Sequence, residues 1–383
     1  MEPMSRISTN RVSTNWNEPH AIEGYTTGVS LHSHTSASEE TLDFIHAMGV
    51  ALPGGEMVAR YYERLCLKRY GLQLDFARAH WRPPLKPRMA YELESGQIQR
   101  MGLYPLVSIT DHDTMEAPLL LRTLPQSRHI PMSVEWTAPF GQTIFHLGIH
   151  NLPSADGAEW MRRFKEFTAA PDDARLLAML RELHAQRQVL IVFNHPLWDL
   201  YQSGPVHVSE MRRFLAEAGD CIHAVELNGL RHAEENRETM QLARETGQLM
   251  ISGGDRHGLE PNANINLTRA GSFTEFVEEI REERRSHVHF MDQYQEPWRR
   301  RIWQSTLNAV TDFPQFMPGW QKWDERAFHP DAEGVMRPLS ELWPNGKVPV
   351  ALMTAIRIIR LGGAGRTSTG LSGLTVQPDA LRD

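Results

Sequence analysis

The chain has 383 residues, 41% hydrophobic content and a formal net charge of −7. That is enough to bury a large core, and it lacks the general positive field that draws a protein onto nucleic acid. Cys66 and Cys221 are the only cysteines and lie far apart, which excludes a disulfide framework and a CxxC zinc module and fits a reducing, cytoplasmic compartment.

Residues 1–27 are polar, rich in Ser, Thr, Asn and Arg, with no apolar run that could act as a signal peptide. From residue 28 to 272, short β-branched runs alternate with helical patterns, the rhythm of parallel strands joined by crossover helices. Strands are expected at Gly28–His32, Leu106–Thr110, Ile130–Glu135, Thr143–Ile149, Val189–Phe193, Ile222–Leu227 and Leu249–Gly253. Each has a polar motif at or near its C-terminal end, where a barrel of alternating strands and helices gathers its active loops. Pro139, Phe140 and Gly141 signal a turn, so a local hairpin should make the barrel irregular.

Two regions break that rhythm. Helical spacing in Gly55–Trp81 and Arg88–Met101, separated by prolines, predicts a helical insertion at residues 55–101 after the first strand. Residues 273–361 read as a helical C-terminal extension in which Trp320 and Trp323 are packing anchors. The arginines at Arg281–Arg285 and Arg299–Arg301, interleaved with Glu, read as solvated helix faces. Val348–Leu361 carries Arg357 and Arg360 and is too short to cross a bilayer, so no membrane association is expected. The Gly/Ser/Thr-rich residues 362–383 read as a mobile tail.

The chemistry is concentrated at the strand ends. His32 and His34 are two residues apart, so both imidazoles lie on one face of a strand end and can reach one ion. His112 is flanked by Asp111 and Asp113, and a carboxylate accepting the second ring N–H fixes a ligating tautomer; Asp113 with Glu116 also resembles a helix-capping pair. Glu135 closes an apolar strand, where an unpaired charge is costly; it either pairs with an arginine or bridges two metals. His146 and His195 are single histidines in or just after apolar strands, readable as core residues or as ligands. In Gly254-Asp255-Arg256-His257-Gly258 the Asp255 and His257 pair repeats the alternate spacing, and Arg256 either clamps a phosphate oxygen or pairs with a neighbouring carboxylate. Asn194 and Asn228 are candidate supporting donors, while His150, His223, His287 and His289 lack motif partners.

Taken in order between Gly28 and Asn266, the segments LHSHTSASEE, SITDHDT, VEW, FHLG, FNHP, VELNG and GGDRHG resemble the polymerase-and-histidinol-phosphatase (PHP) family of metal-dependent phosphoesterases. The resemblance implies a distorted (β/α)7 barrel holding three divalent ions, with Mn²⁺, Fe²⁺ or Zn²⁺ as candidates. Carried over residue by residue, His32, His34, Glu135 and Asp255 would hold the first ion. Glu39, His112 and His257 would hold the second, and Glu135, His146 and His195 the third. Asp255, His257 and Arg256 would take the catalytic roles. Glu39 stands where relatives commonly carry an aspartate followed by glycine. The implied activity is hydrolysis of a small phosphorylated metabolite, nucleotide or short oligonucleotide through a metal-bound hydroxide. The alternatives are an amidohydrolase-like metal-dependent hydrolase and a non-enzymatic PHP scaffold.

Overall fold

A computed structural model of the chain describes residues 9–42, 55–71, 73–343, 346–350, 352–354, 356–357 and 360. The expected tail, 362–383, lies outside them. In chain order the main elements are β1 (Thr9–Thr14), β2 (Thr27–Ser30), β3 (Glu40–Thr41), α1 (Gly55–Tyr70), β4 (His80–Trp81), α2 (Pro87–Arg100), β5 (Tyr104–Val107), α3 (Glu116–Leu121), β6 (Met132–Phe140), β7 (Thr143–Leu152), α4 (Gly157–Ala169), α5 (Asp173–Ala185) and β8 (Leu190–Asn194). They continue with α6 (Pro205–Ala218), β9 (Ala224–Asn228), α7 (Ala233–Thr246), β10 (Leu249–Gly253), β11 (Asn264–Thr268), α8 (Phe273–Arg281), β12 (Arg285–Phe290), α9 (Trp298–Val310), β13 (Ala327–Pro330), β14 (Met336–Pro338) and α10 (Leu339–Leu342).

The chain divides into two compact units, one running to Ala37 and resuming over Leu85–Ile302, the other formed by Ser38–Pro84 with residues from Trp303 onward. The first unit carries all seven expected strands in two five-stranded sheets, ordered β1-β12-β11-β2-β5 and β10-β9-β8-β7-β6. Single parallel bridges, Ser33 with Arg256 and His112 with Glu135, link the ends of the sheets. The fold is mixed α/β, but the strand ladders do not close into the expected barrel. The reason lies partly in strands that the alternating pattern missed: β11 runs antiparallel to β2 and β12, and β1 pairs parallel with β12. Thus part of the polar residues 1–27 and part of 273–361 belong to this unit.

Its core follows from periodicity. Strand β8 is buried along its whole length, as befits a strand covered on both faces. Helix α4 buries Trp160, Phe164 and Phe167, and α8 buries Phe273, Phe276, Val277 and Ile280, each at helical spacing. Asp172 and Ser272 cap α5 and α8 by accepting from the backbone N–H groups of Arg175 and Glu275. Helix α7 ends at Gly247, whose φ of +69° is the left-handed cap conformation glycine adopts without strain.

Insertion and extension, read separately from the sequence, are both represented in the second unit, where β3 and β4 join β13 and β14 in an antiparallel sheet ordered β14-β13-β4-β3. His80–Trp81 is strand where helix was expected, paired with β13 and β3. Trp320 is buried with its indole N–H on the Pro84 carbonyl at 3.0 Å, consistent with a packing anchor. The expected solvated arginine faces are partly structural. In the first unit Arg281 donates to the carbonyls of His184, Gln186 and Val189, and Arg301 is buried. Among the described residues no helix is long and apolar enough to cross a membrane.

Candidate metal centre

In the first unit the loops after β2, β5, β8 and β10, with the interiors of β6 and β7, bring His32, His34, His112, Glu135, His146, His195, Asp255 and His257 together. His32, His34 and Asp255 form one group, His112, Glu135 and His146 a second, and His32, His195 and Glu226 a third, each with ligand atoms within 4.8 Å of one another. The ring of His34 also stacks on those of His112 and His257, at centroid distances of 4.8 and 4.3 Å. Local backbone supports this convergence. Asp111 accepts from the Thr35 backbone N–H at 2.5 Å and its hydroxyl at 2.9 Å, tying the loop after His34 to the loop that carries His112. Asp113, His195 and Asp255 have φ of +50°, +25° and +52°, strained conformations that persist where the surroundings over-determine them.

Glu135 lies at the centre, fully buried. Its Oε2 faces His32 Nε2 at 2.9 Å, His34 Nε2 at 3.3 Å and His112 Nε2 at 3.4 Å. Its Oε1 faces His195 Nε2 at 3.2 Å and His146 Nδ1 at 3.5 Å, and accepts from the Asn194 amide at 2.9 Å. Gly148, cross-strand from Glu135, leaves room for that amide, since a Cβ there would come within 2.8 Å of Asn194 Oδ1 and of His150 Nε2. Burial opposes ionisation of Glu135, but the imidazoles of His32 and His112 outweigh it and hold the carboxyl well below the usual range.

His32 is equally constrained. Its Nδ1 meets Glu226 Oε1 at 2.7 Å, and its Nε2 lies 3.1 Å from His34 Nε2. Burial disfavours a proton on this ring, yet Glu135, Glu226 and Asp255 together raise its pKa well above that of an ordinary histidine. Carboxylates in that number call for a cation, and a divalent ion satisfies them while accepting the inward ring nitrogens. Asp255 is also held ionised: burial raises its pKa, but His32, the hydrogen bond from His34 and His257 bring it well below the normal value. Burial pushes His146 down to about 4, leaving the neutral, ligating imidazole. Its Nδ1 is buried and faces Glu135 Oε1 at 3.5 Å, with no hydrogen-bond partner among the described residues. His257 Nδ1 meets the Asp255 carbonyl at 2.9 Å, which presents Nε2 as the ligand atom. The donor set therefore fits divalent ions, and its mixture of nitrogen and oxygen without thiolate suits Mn²⁺, Fe²⁺ or Zn²⁺.

Three expectations need correction. Glu39, in the second unit, lies just before β3, is half exposed and pairs with Arg82 at 2.6 Å, whereas the adjacent Glu40, in β3, is buried. Arg256 is no free clamp: it is 1% exposed, with Nε on Glu94 Oε1 at 2.6 Å and Nη1 on the Gly258 carbonyl at 2.5 Å. Asp113 does not cap α3, and its Oδ1 accepts from the Thr137 backbone N–H at 2.9 Å.

Two functional candidates escaped the sequence reading. Glu226 holds His32 and also accepts from the His195 backbone N–H at 2.7 Å; its signal was the carboxylate inside the apolar segment VELNG. Arg231 stands beside the cluster, with Nη2 3.9 Å from Asp255 Oδ2 and its guanidinium 5.0 Å above the Trp198 ring. Trp198 in turn contacts the rings of His146 and His195.

No protein-family model and no curated protein matches the chain. Solved structures do. A two-domain protein of Bacteroides vulgatus containing a predicted PHP-like metal-dependent phosphoesterase is 16% identical, with 75% of this chain and 70% of that one covered and a TM-score of 0.41. An amidohydrolase of Chromobacterium violaceum is 13% identical over 46% of this chain and 84% of its own, with a TM-score of 0.33. A Bifidobacterium adolescentis protein provisionally named a metal-dependent phosphoesterase is 15% identical over 52% of this chain and 91% of its own, with a TM-score of 0.30.

Proposed function

We propose that the protein is a metal-dependent phosphoesterase that hydrolyses a small phosphorylated substrate at the cluster around Glu135. The observation that carries this reading is the division of the Glu135 carboxylate, with Oε2 toward His32, His34 and His112 and Oε1 toward His146 and His195. A carboxylate so placed can hold two cations at the short separation of multinuclear sites. Bound divalent ions would lower the pKa of a coordinated water toward about 7 and screen the oxygens of an incoming phosphate.

The chain's own residues do the remaining work. Glu226 orients His32, Asn194 orients Glu135, and Asn228 donates to Asp255 Oδ2 at 3.0 Å, so each ligand is fixed before substrate arrives. With Arg256 taken up by Glu94, Arg231 is the arginine that would grip a phosphate oxygen. Its Nε lies 3.7 Å from Glu235 Oε1, too far for a hydrogen bond, and has no hydrogen-bond partner among the described residues. The loop that presents it is held firmly: Arg301 donates to the carbonyls of Gly229 and Arg231, and Trp298 to that of Leu230. A cation on a pre-ordered loop binds an anion without first losing conformational freedom.

The experiment is a screen of Mn²⁺-reconstituted protein against phosphomonoesters, nucleotides, cyclic nucleotides and short oligonucleotides, with amides and lactones alongside. Phosphate release that is abolished by chelation and restored by metal is the expected result. Turnover of amides or lactones with no phosphate release would replace this reading with an amidohydrolase.

A further inference from the structure

Outside the ligand cluster, the most heavily buried charged pair near it is Glu94 with Arg256. Both are 1% exposed, and the Arg256 Nε lies 2.6 Å from Glu94 Oε1. The other Glu94 oxygen accepts from the Ser30 hydroxyl at 2.9 Å and from the Asn262 amide at 3.2 Å, and that amide also reaches Ser30 at 3.0 Å. Asn262 is anchored to α2 by paired contacts with Gln97, at 2.8 and 2.9 Å. Gly254 is required for this arrangement, because a Cβ there would collide with the Asn262 amide.

The placement of the pair relative to the ligands gives it meaning. Arg256 lies between Asp255 and His257, and its Nη1 binds the Gly258 carbonyl, spanning the turn that carries both. Ser30 lies two residues before His32. The same two segments are joined along the backbone, where the Asp255 N–H donates to the His32 carbonyl at 2.8 Å and the His34 N–H to the Arg256 carbonyl at 2.9 Å. Asp255 is held there at a φ of +52°, a conformation of an aspartate that needs support from its surroundings. Glu94 thus connects α2 to both ligand-bearing segments through one carboxylate.

We propose that the Glu94–Arg256 pair is a positioning device that sets Asp255 and His257 against His32 and His34, and that Glu94, on the insertion side of β5, is needed for metal affinity although it touches no ligand atom. The inference rests on the reading that Asp255 and His257 hold divalent ions. A purely structural pair would affect stability alone; a positioning pair affects the ions bound by this turn more than those bound at His146 and His195.

Two variants test it. Glu94→Gln keeps shape and removes the charge, while Arg256→Lys keeps charge but cannot span Glu94 and the Gly258 carbonyl together. Metal-stripped wild type and variants are titrated calorimetrically with Mn²⁺, and the Co²⁺-loaded proteins are compared by visible absorption. In both variants at least one ion should bind about 10–100-fold more weakly, with an altered Co²⁺ spectrum and the remaining ions held as in wild type. If Glu94→Gln does not fold, Arg256→Lys supplies the same readouts. Folded variants with wild-type affinity and spectrum overturn the positioning role while leaving the metal site intact. A uniform loss at every ion also overturns it. Wild-type protein that binds no Mn²⁺ overturns the metal-site reading itself, and the positioning role with it.

Discussion

Replacing Gly253 with alanine should damage the metal site through a residue that is no neighbour of a ligand in sequence. The added Cβ would collide with the Glu226 carboxylate. Glu226 is 1% exposed and fixed by contacts to His32 Nδ1 and to the His195 backbone N–H, both at 2.7 Å. It can make room only by giving up those contacts. Hydrogen bonds to a charged group contribute about 1.5–3 kcal/mol each, so losing both costs about 3–6 kcal/mol if nothing replaces them. His32 would then be free to turn, and loss of such an orienting partner lowers metal affinity about 10–100-fold. Thermal melting of metal-free protein reads the first effect, and Mn²⁺ binding in competition with a chelator reads the second. A Gly253→Ala/Glu226→Ala double variant removes the clash, so it should recover part of the stability and none of the affinity. Gly253→Ala protein with wild-type melting and wild-type Mn²⁺ affinity would refute the argument.

Glu135→Gln should lose more than one ion and reduce turnover at least about a hundredfold, measured as metal stoichiometry together with rate; full metal content would show that the carboxylate does not bridge. Arg231→Ala should keep its metal and lose about 2 kcal/mol of transition-state stabilisation, roughly thirtyfold in kcat/KM, with inorganic phosphate a weaker inhibitor. Glu39→Ala should leave metal content unchanged and cost less than about 1 kcal/mol of stability, because Glu39 is half exposed and pairs with Arg82. Burial lowers the pKa of His287 to about 3 and that of His289 to about 4. Both stay neutral in the folded chain, so their contribution is intact above the unfolded pKa of about 6.5 and declines as the pH falls from there toward those values. Urea denaturation between pH 7 and 4.5 should show that decline, and His287→Asn should reduce its slope.

What the sequence made legible was local. His32, His34, His112, His195, Asp255 and His257 follow apolar strands while Glu135 and His146 lie inside β6 and β7, and the alternate spacing of His32 with His34 and of Asp255 with His257 marked them as pairs. The seven strands of the alternating pattern were readable for the same reason, since each is a short, nearly continuous apolar run. What was hidden depended on partners far away in the chain. Nothing beside Arg256 indicates that Glu94 will bury it, and nothing local separates the exposed Glu39, outside β3, from the buried Glu40, which pairs with Trp81 of β4. Strand β1 lies in a polar stretch and gains its identity by pairing with β12, residues 9–14 against 285–290. The second unit draws on segments more than two hundred residues apart, and no periodicity reports such a pairing.

The most direct measurement is a crystal structure of Mn²⁺-soaked protein with anomalous scattering recorded at the manganese edge. Strong peaks should lie on both sides of Glu135, one within coordination distance of Oε2, His32 and His34 and another near Oε1, His146 and His195, and both should be missing in metal-stripped crystals. Anomalous maps with no peak at Glu135 from protein that is folded and saturated with Mn²⁺ would contradict a metal centre there.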